Sequence, residues 1–186
     1  DRLPVIEWAP WWDQTLARWR REGLPALDHY WDHFGLDRLY WCGIPSGRTT
    51  LPPASAHGAP RIRDERDYDA LQPQLWPEVD ELPGMQELFR LLRASGGGDL
   101  VFAVPIHGFF WFPRTLFGIE PHMTAFYEQP ELMHRMNTDL TEWTLRVIEE
   151  ICAVCTPDFM TFAEDMSYNH GPMLSKTLFD EFMKPY

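Results

Sequence analysis

The sequence contains little cysteine, fewer basic than acidic side chains and no long apolar run. Three cysteines in 186 residues do not make a disulfide scaffold, which favours a reduced, cytoplasmic setting. The 16 Lys and Arg against 28 Asp and Glu give a net charge of −12, the wrong sign for binding nucleic acid or an anionic membrane surface. No segment approaches the roughly 18–20 consecutive apolar residues of a membrane-spanning helix. We therefore expect neither nucleic acid nor a membrane as a partner.

Aromatic residues and proline are plentiful instead. Hydrophobic residues make up 45% and charged residues 24% of the chain, which is the range of folded globular domains and excludes a largely disordered chain. Aromatic residues reach 15%, with 9 Trp, and several of them follow predicted strands. Aromatic side chains clustered after a strand favour a pocket for a flat or ring-shaped ligand.

Short apolar runs and helical periodicity alternate along the chain. Unbroken apolar runs are typical of buried strands, and apolar residues three and four apart are typical of amphipathic helices. Strands are predicted at 3–8, 39–42, 99–104 and 159–163. Helices are predicted at 13–21, 26–34, 68–75, 85–92, 121–127 and 131–154, with a further helix beginning at Thr177. The stretch 44–60, rich in Pro, Gly, Ser and Thr, is predicted to be a long loop of the kind that often carries function.

Buried strands that alternate with helices predict a parallel α/β sheet with right-handed crossovers. The pattern gives about four β/α units, whereas a complete TIM (β/α)8 barrel typically takes about 250 residues. We therefore expect residues 1–186 to form the N-terminal half of a single barrel domain, with the second half missing from this chain. A half-barrel exposes two sheet edges and half a core, so we expect it to need the rest of the protein for stability.

Ligands of parallel α/β folds bind at the carboxyl ends of the strands, and chemically active side chains follow the predicted strands here. The candidate catalytic residues are Glu164, Asp165 and His107. The candidate substrate-binding residues are Glu7, Trp8, Trp11, Trp111, Arg114, Tyr168 and His170. Together they predict an aromatic wall holding carboxylates and two histidines, suited to a substrate with a large apolar face.

Two readings are open for the acidic candidates. The adjacent carboxylates of Glu164 and Asp165 can raise one another's pKa, or bind a cation or a ligand amide. The alternative is an acid that caps a helix or anchors a loop by accepting backbone N–H bonds. Two readings are open for Glu7 as well: a functional carboxylate, or a structural one that forms an ion pair with a buried arginine.

Two readings are also open for the basic candidates. His107 and His170 are each either a general acid–base or a side chain that only bonds a backbone carbonyl. Arg114 either binds a substrate carboxylate or phosphate, or pairs with Glu7 or Glu164.

Two short motifs give weak metal signals. Cys152 and Cys155 form a CxxC with no second CxxC, and His29 and His33 lie one helical turn apart without the intervening Glu of a zinc-protease helix. We assign no metal ligand within the chain.

Four segments carry a likeness to a known family. They are the opening DRLPV of residues 1–5, GFFWFPRTLFG of 108–118, YEQPEL of 127–132, and DFMTFAED of 158–165 followed by GPMLS of 171–175 and FDEFMKPY of 179–186. In their order and spacing they resemble the uroporphyrinogen decarboxylase superfamily, which also holds cobamide-dependent methyltransferases. The resemblance implies a (β/α)8 barrel with its site at the barrel mouth.

Decarboxylases of that superfamily carry arginines just after the opening strand, where they meet the substrate's carboxylates. The matching stretch here is EWAPWW at residues 7–12, which has no arginine and begins with Glu7. A glutamate facing a polycarboxylate would repel it by about 1–4 kcal/mol per close pair. The chain is similar instead to the methyltransferase branch in its Glu-Asp and Gly-Pro-Met-Leu-Ser segments.

The resemblance therefore implies an enzyme that moves a methyl group between a corrinoid or methylated donor and a small acceptor. A corrinoid protein would then be a possible partner. The branch also implies a zinc ion held by one His and two Cys in the later half of the barrel, so that zinc and corrinoid belong to the complete protein and no cofactor ligand is assigned here. A tetrapyrrole decarboxylase and a non-catalytic binding protein are the alternatives.

Overall fold

The computed structural model describes residues 3–9, 11–27, 30–41, 43–44, 47, 53–81, 90 and 100–186. Its strands are β1 (Arg38–Trp41), β2 (Leu100–His107), β3 (Phe159–Ala163), β4 (Ser167–Tyr168) and β5 (Gly171–Pro172). Its helices are α1 (Asp13–Arg21), α2 (Trp31–Phe34), α3 (Glu65–Leu71), α4 (Trp111–Phe117), α5 (Ile119–Glu128), α6 (Pro130–Cys152) and α7 (Lys176–Phe182). Within these ranges, no helix is both long and apolar enough to cross a membrane.

The three longer strands form a parallel sheet with β2 in the middle. Ala103 of β2 pairs with Trp41 on one side and with Phe159 on the other, so these three residues share a face. The even-numbered residues of β2 from Phe102 to Ile106 are buried in the core with the helices. Since side chains alternate along a strand, the odd-numbered residues lie on the opposite face, where the candidate site is found.

Helix α6 is the centre of the core. Pro130 lies in its first turn, where a missing backbone N–H leaves no intrahelical bond unmade. The indole Nε1 of Trp143 donates to the carbonyl of Pro77 at 2.8 Å, and the amide of Asn137 donates to the carbonyl of Phe182 at 2.8 Å. Helix α6 is thereby tied both to the segment after α3 and to α7. Its buried side chains recur at helical spacing: Leu132, Met133, Met136, Asn137, Leu140, Trp143, Thr144, Val147 and Ile151.

Most of the predicted elements are confirmed. The strands predicted at 39–42, 99–104 and 159–163 correspond to β1, β2 and β3, and the long helix predicted at 131–154 is α6. Position 42 and most of the helix predicted at 85–92 lie outside the described residues. The hairpin of β4 and β5 was not predicted, because strands of two residues carry no usable alternation.

Two predictions at the N-terminus are wrong. Residues 3–8 do not form a strand; Val5 is held beside β1 by one bond from the Asp37 amide to its carbonyl, 2.8 Å, and one from its own amide to the Asp37 carboxylate, 2.7 Å. The carboxylate occupies the place of the carbonyl that a ladder would use. The helix predicted at 26–34 is non-helical at 26–27 and at Tyr30, and α2 begins at Trp31; positions 28 and 29 lie outside the described residues. Gly35 ends α2 at φ 65° as predicted.

The described residues contain one three-stranded parallel sheet, and buried residues of helices α3 to α7 share a core with the even-numbered residues of β2. A barrel half would have this arrangement, and so would part of an open α/β sheet. The (β/α)8 barrel stays a prediction.

Candidate functional site

A cavity of about 620 Å³ lies on the sheet face opposite the helices, at the carboxyl ends of β2 and β3. Its size is in the range of small-molecule sites, which are commonly 300–1,000 Å³. Three indoles from separate parts of the chain, Trp8, Trp41 and Trp111, contribute to its wall. The other lining residues are Ile6, Pro105, Phe159, Thr161, Phe162, Ala163, Glu164 and Asp165. The predicted combination of aromatic wall and carboxylates is thus present at this cavity.

The Glu164 carboxylate is bound to the start of α4. It accepts hydrogen bonds from the backbone N–H of Phe110 at 3.2 Å and of Trp111 at 3.0 Å. The first N–H groups of a helix have no partner within the helix, so this side chain satisfies donors that would otherwise be unpaired. These contacts are those of the loop-anchoring alternative; a catalytic role for Glu164 stays a prediction.

Gly108 makes this anchor possible. A Cβ atom at this position would lie 2.0 Å from the Glu164 carboxyl carbon, which is far inside van der Waals contact. The Gly108 N–H also donates to the carbonyl of Ala163 at 3.1 Å. The turn between β2 and α4 is therefore held against the end of β3, and the absence of a side chain at Gly108 leaves room for the Glu164 carboxyl to reach the amides of α4.

Two opposing effects act on the Glu164 carboxyl. Burial raises its pKa above the ordinary value, and this effect is larger than the lowering caused by the backbone N–H groups of Phe110, Trp111 and Phe109. A partly buried acid with a raised pKa can exchange a proton nearer neutral pH than a solvated glutamate can.

Arg114 and Asp165 form an ion pair beside the anchor. The Arg114 Nη1 donates to the Asp165 carboxylate and to its backbone carbonyl, both at 3.2 Å. The guanidinium also lies 5.5 Å from the centre of the Trp111 ring, within the range of a cation–π contact. The internal partner of Arg114 is therefore Asp165, and the pairing with Glu7 or Glu164 considered from the sequence is wrong.

His107 lines a neighbouring cavity of about 480 Å³, which shares Trp41, Pro105 and Ala163 with the first. Burial lowers the pKa of His107 below its usual value, so its imidazole is neutral at pH 7. A neutral imidazole can accept a proton, and the predicted acid–base role is compatible with this position.

Glu7 and Trp11 line a third cavity, of about 540 Å³, which shares Trp8 and Trp41 with the first. Trp11 packs edge-on against Tyr30, with ring centres 5.6 Å apart. Glu7 is exposed, and its Oε1 atom accepts a long hydrogen bond from the Ala9 amide, 3.4 Å. Among the described residues, no arginine pairs with Glu7. The ion pair with a buried arginine that the sequence allowed is therefore not seen there.

Tyr168 and His170 lie apart from these walls. They belong to the β4–β5 hairpin, are exposed, and contact each other edge-on with ring centres 5.5 Å apart. Neither lines any of the cavities described above. Their substrate-binding role stays a prediction.

No group of three or more His, Cys, Asp and Glu side chains is placed to hold a metal ion within the described part of the chain. Cys152 and Cys155 are free thiols near the end of α6. Cys155 packs partly buried against the hydrophobic core.

Trp41 is the wall residue that the sequence did not single out. It is the last residue of β1 and lies within the predicted strand, so the apolar run gave its position. The sheet face on which its side chain lies depends on the pairing of Trp41 with Ala103. A single sequence does not specify that register.

Comparison with known proteins finds no matching family model, no matching curated protein and no matching solved structure. What the protein does must therefore be inferred from its residues and their geometry.

Proposed function

We propose that the chain is part of an enzyme of the uroporphyrinogen decarboxylase type that transfers a methyl group between a corrinoid or methylated donor and a small acceptor. The observation that supports it is the convergence of Trp8, Trp41 and Trp111 on one cavity that also contains the Asp165 carboxylate. The sequence predicts an aromatic, acid-bearing pocket at the carboxyl ends of the strands, and the family resemblance implies a site at the barrel mouth.

The residues at the cavity fit a large ring-shaped group. Indole faces exclude water and pack against a flat apolar surface, and the exposed Asp165 carboxylate can accept hydrogen bonds from amide groups at the ring's edge. A bound corrinoid would supply the transferable methyl group. The described residues do not fit a zinc ion, and the proposal places no step on one.

The roles of the chain's own residues follow from their contacts. Glu164 fixes the start of α4, and with it the position of the Trp111 wall. Arg114 orients the Asp165 carboxylate. His107, held neutral by burial, accepts a proton at its imidazole when the acceptor is deprotonated. The low cysteine content fits a cytoplasmic enzyme, which is part of the same proposal.

The test is to mix the full-length protein with methylcobalamin and a thiol acceptor and to record the visible spectrum. We expect a change in the corrinoid spectrum and loss of the methyl group over time. Trp111→Leu should weaken corrinoid binding at least tenfold. Trp12→Leu is the matched control because Trp12 is 78% exposed and lines none of the cavities described.

An unchanged spectrum would reject the methyltransferase proposal. Incubation with uroporphyrinogen, followed by chromatography, tests the tetrapyrrole decarboxylase in the same preparation. Formation of decarboxylated products would replace methyl transfer by that alternative.

A further inference from the structure

A fourth cavity, of about 260 Å³, lies between the loop at 53–61 and the α4–α5 junction. Arg61, Arg114 and His57 all contribute to its lining, and none of the described residues that line it is acidic. In a chain with a net charge of −12, a pocket lined by two guanidinium groups is a local reversal of sign. The lining therefore favours a negatively charged occupant.

Arg61 has no internal partner to explain its position. Its Nε atom is buried and makes no hydrogen bond. Among the described residues, no carboxylate lies within ion-pair distance of its guanidinium, in contrast to Arg114, whose Nη1 binds Asp165. A buried guanidinium N–H without an acceptor is destabilising. An oxygen atom of a bound ligand would supply the missing acceptor.

The frame around Arg61 is fixed by the backbone. The amides of Arg61 and Ile62 both donate to the carbonyl of Leu116, at 2.7 and 3.1 Å. The Ile119 amide donates to the carbonyl of Gly58 at 3.3 Å. The loop is thus fastened to both ends of the α4–α5 junction, and the backbone that carries Arg61 is fixed before any ligand arrives.

Gly118 allows the α4–α5 junction to approach the loop at 53–61 closely. A Cβ atom at this position would lie 2.5 Å from the carbonyl oxygen of Gly58, and the residue has φ +81°, which side chains rarely adopt. Both requirements select glycine here. Gly58 and Gly118 both line the cavity, so this contact is part of its wall.

We propose that this cavity binds the oxyanion group of a small molecule, a phosphate or a carboxylate, between Arg61 and Arg114. Guanidinium groups match such anions with paired N–H donors, and Thr115 and His57 add polar groups to the lining. Trp111 lines both this cavity and the large aromatic one, so an anion bound here is adjacent to the proposed methyl-transfer site. The anion site itself does not depend on methyl transfer.

Calorimetric titration of the full-length protein with inorganic phosphate, and separately with acetate, at constant ionic strength tests the proposal. We expect saturable binding of at least one of the two, and the comparison tells a phosphate from a carboxylate site. Arg61→Met should weaken binding at least tenfold without lowering the melting temperature of the anion-free protein. Arg146→Met is the matched control, because Arg146 is exposed on α6, and it should bind like the wild type.

Three results would overturn the proposal. They are no binding of either anion by the wild type, an equal loss of affinity in Arg61→Met and Arg146→Met, and a lower melting temperature of Arg61→Met without anion, which would make Arg61 a structural residue. Should Arg61→Met not fold, Arg61→Lys keeps the charge and loses the paired donors, and wild-type affinity in that variant would equally reject the site. None of these readouts requires a corrinoid, so the methyl-transfer proposal stands or fails separately.

Discussion

The N-terminal region, 3–41, and the C-terminal region, 100–186, use aromatic residues in opposite ways. In the C-terminal region Phe102, Phe110 and Phe112 are fully or nearly fully buried among the helices. Of the described residues in 3–41, none is buried, and Trp8 and Trp12 are 66% and 78% exposed. Similar composition thus gives a core in one region and an open aromatic surface in the other.

The difference comes from what covers each ring. In the C-terminal region the long helix α6 packs over the sheet and excludes water from the phenyl rings. In the N-terminal region Trp11 contacts Trp19, Tyr30 and Phe34 edge-on, and Trp11 and Tyr30 line a cavity instead of filling it. Large uncovered aromatic patches are characteristic of binding sites, which is why the methyl-transfer proposal involves this region.

The largest expected effect compares Gly108, in the C-terminal region, with Gly43, which lies just after the N-terminal region. Gly108→Ala places a Cβ atom 2.0 Å from the Glu164 carboxyl carbon, whereas a Cβ at Gly43 meets nothing within 4 Å. The Glu164 side chain can turn away from this Cβ only by giving up its hydrogen bonds to the amides of Phe110 and Trp111. We therefore expect urea denaturation to show a loss of about 2–4 kcal/mol in the free energy of unfolding for Gly108→Ala. Gly43→Ala should change it by less than about 0.5 kcal/mol. A stable Gly108→Ala protein would show that the Glu164 anchor is not rigid.

The second effect concerns histidine and pH. His122 is fully buried with neither ring nitrogen hydrogen-bonded, and burial, with a smaller contribution from Arg114, lowers its pKa to about 3. An unfolded histidine titrates near pH 6.5. Between these values the unfolded chain binds a proton that the folded chain does not, so stability falls with decreasing pH by about 1.4 kcal/mol per pH unit.

His122→Leu should remove that slope and raise the stability measured below pH 6. His33, which is exposed in the N-terminal region, provides the control, and His33→Gln should keep the wild-type slope. Denaturation curves recorded from pH 7 to pH 4.5 measure both. An unchanged slope in His122→Leu would contradict the burial of a neutral imidazole.

The smallest effect compares two tyrosines. The Tyr68 hydroxyl is buried and donates to the Asp139 carboxylate at 2.7 Å, while the Tyr30 hydroxyl accepts from the exposed Arg20 side chain at 3.1 Å. We expect Tyr68→Phe to cost about 1.5 kcal/mol of unfolding free energy, since the remaining carboxylate loses a donor in a partly buried place. Tyr30→Phe should cost less than about 0.5 kcal/mol. Equal costs in thermal denaturation would remove this distinction between the two hydroxyls.

Local patterns were enough to predict most elements of the C-terminal region. The apolar runs of β2 and β3 and the periodicity of α6 are each contained in a short stretch of sequence. At the N-terminus the apolar residues 3–8 have a strand-like pattern, yet the Asp37 side chain takes the place of a backbone partner. The apolar pattern of one segment does not show which hydrogen-bonding group a residue distant in the sequence will present to that segment.

The site was predicted less completely for the same reason. Glu164, Asp165 and Trp111 were found because they follow strands, and they do meet at one cavity. Whether Glu164 anchors a loop depends on Phe110, 54 residues earlier. Arg61 lies at the end of a Pro- and Gly-rich stretch without a motif, and only the fold shows that its buried nitrogen has no partner.

Glu164 and Asp165 are neighbours in the chain with different tasks. The first carboxylate is fastened to the amides that begin α4, and the second is held by Arg114 from the same helix. The loop after β3 and helix α4 are consequently coupled through two consecutive residues. We therefore expect a ligand that displaces Asp165 to shift Trp111 as well, because both residues are attached to α4.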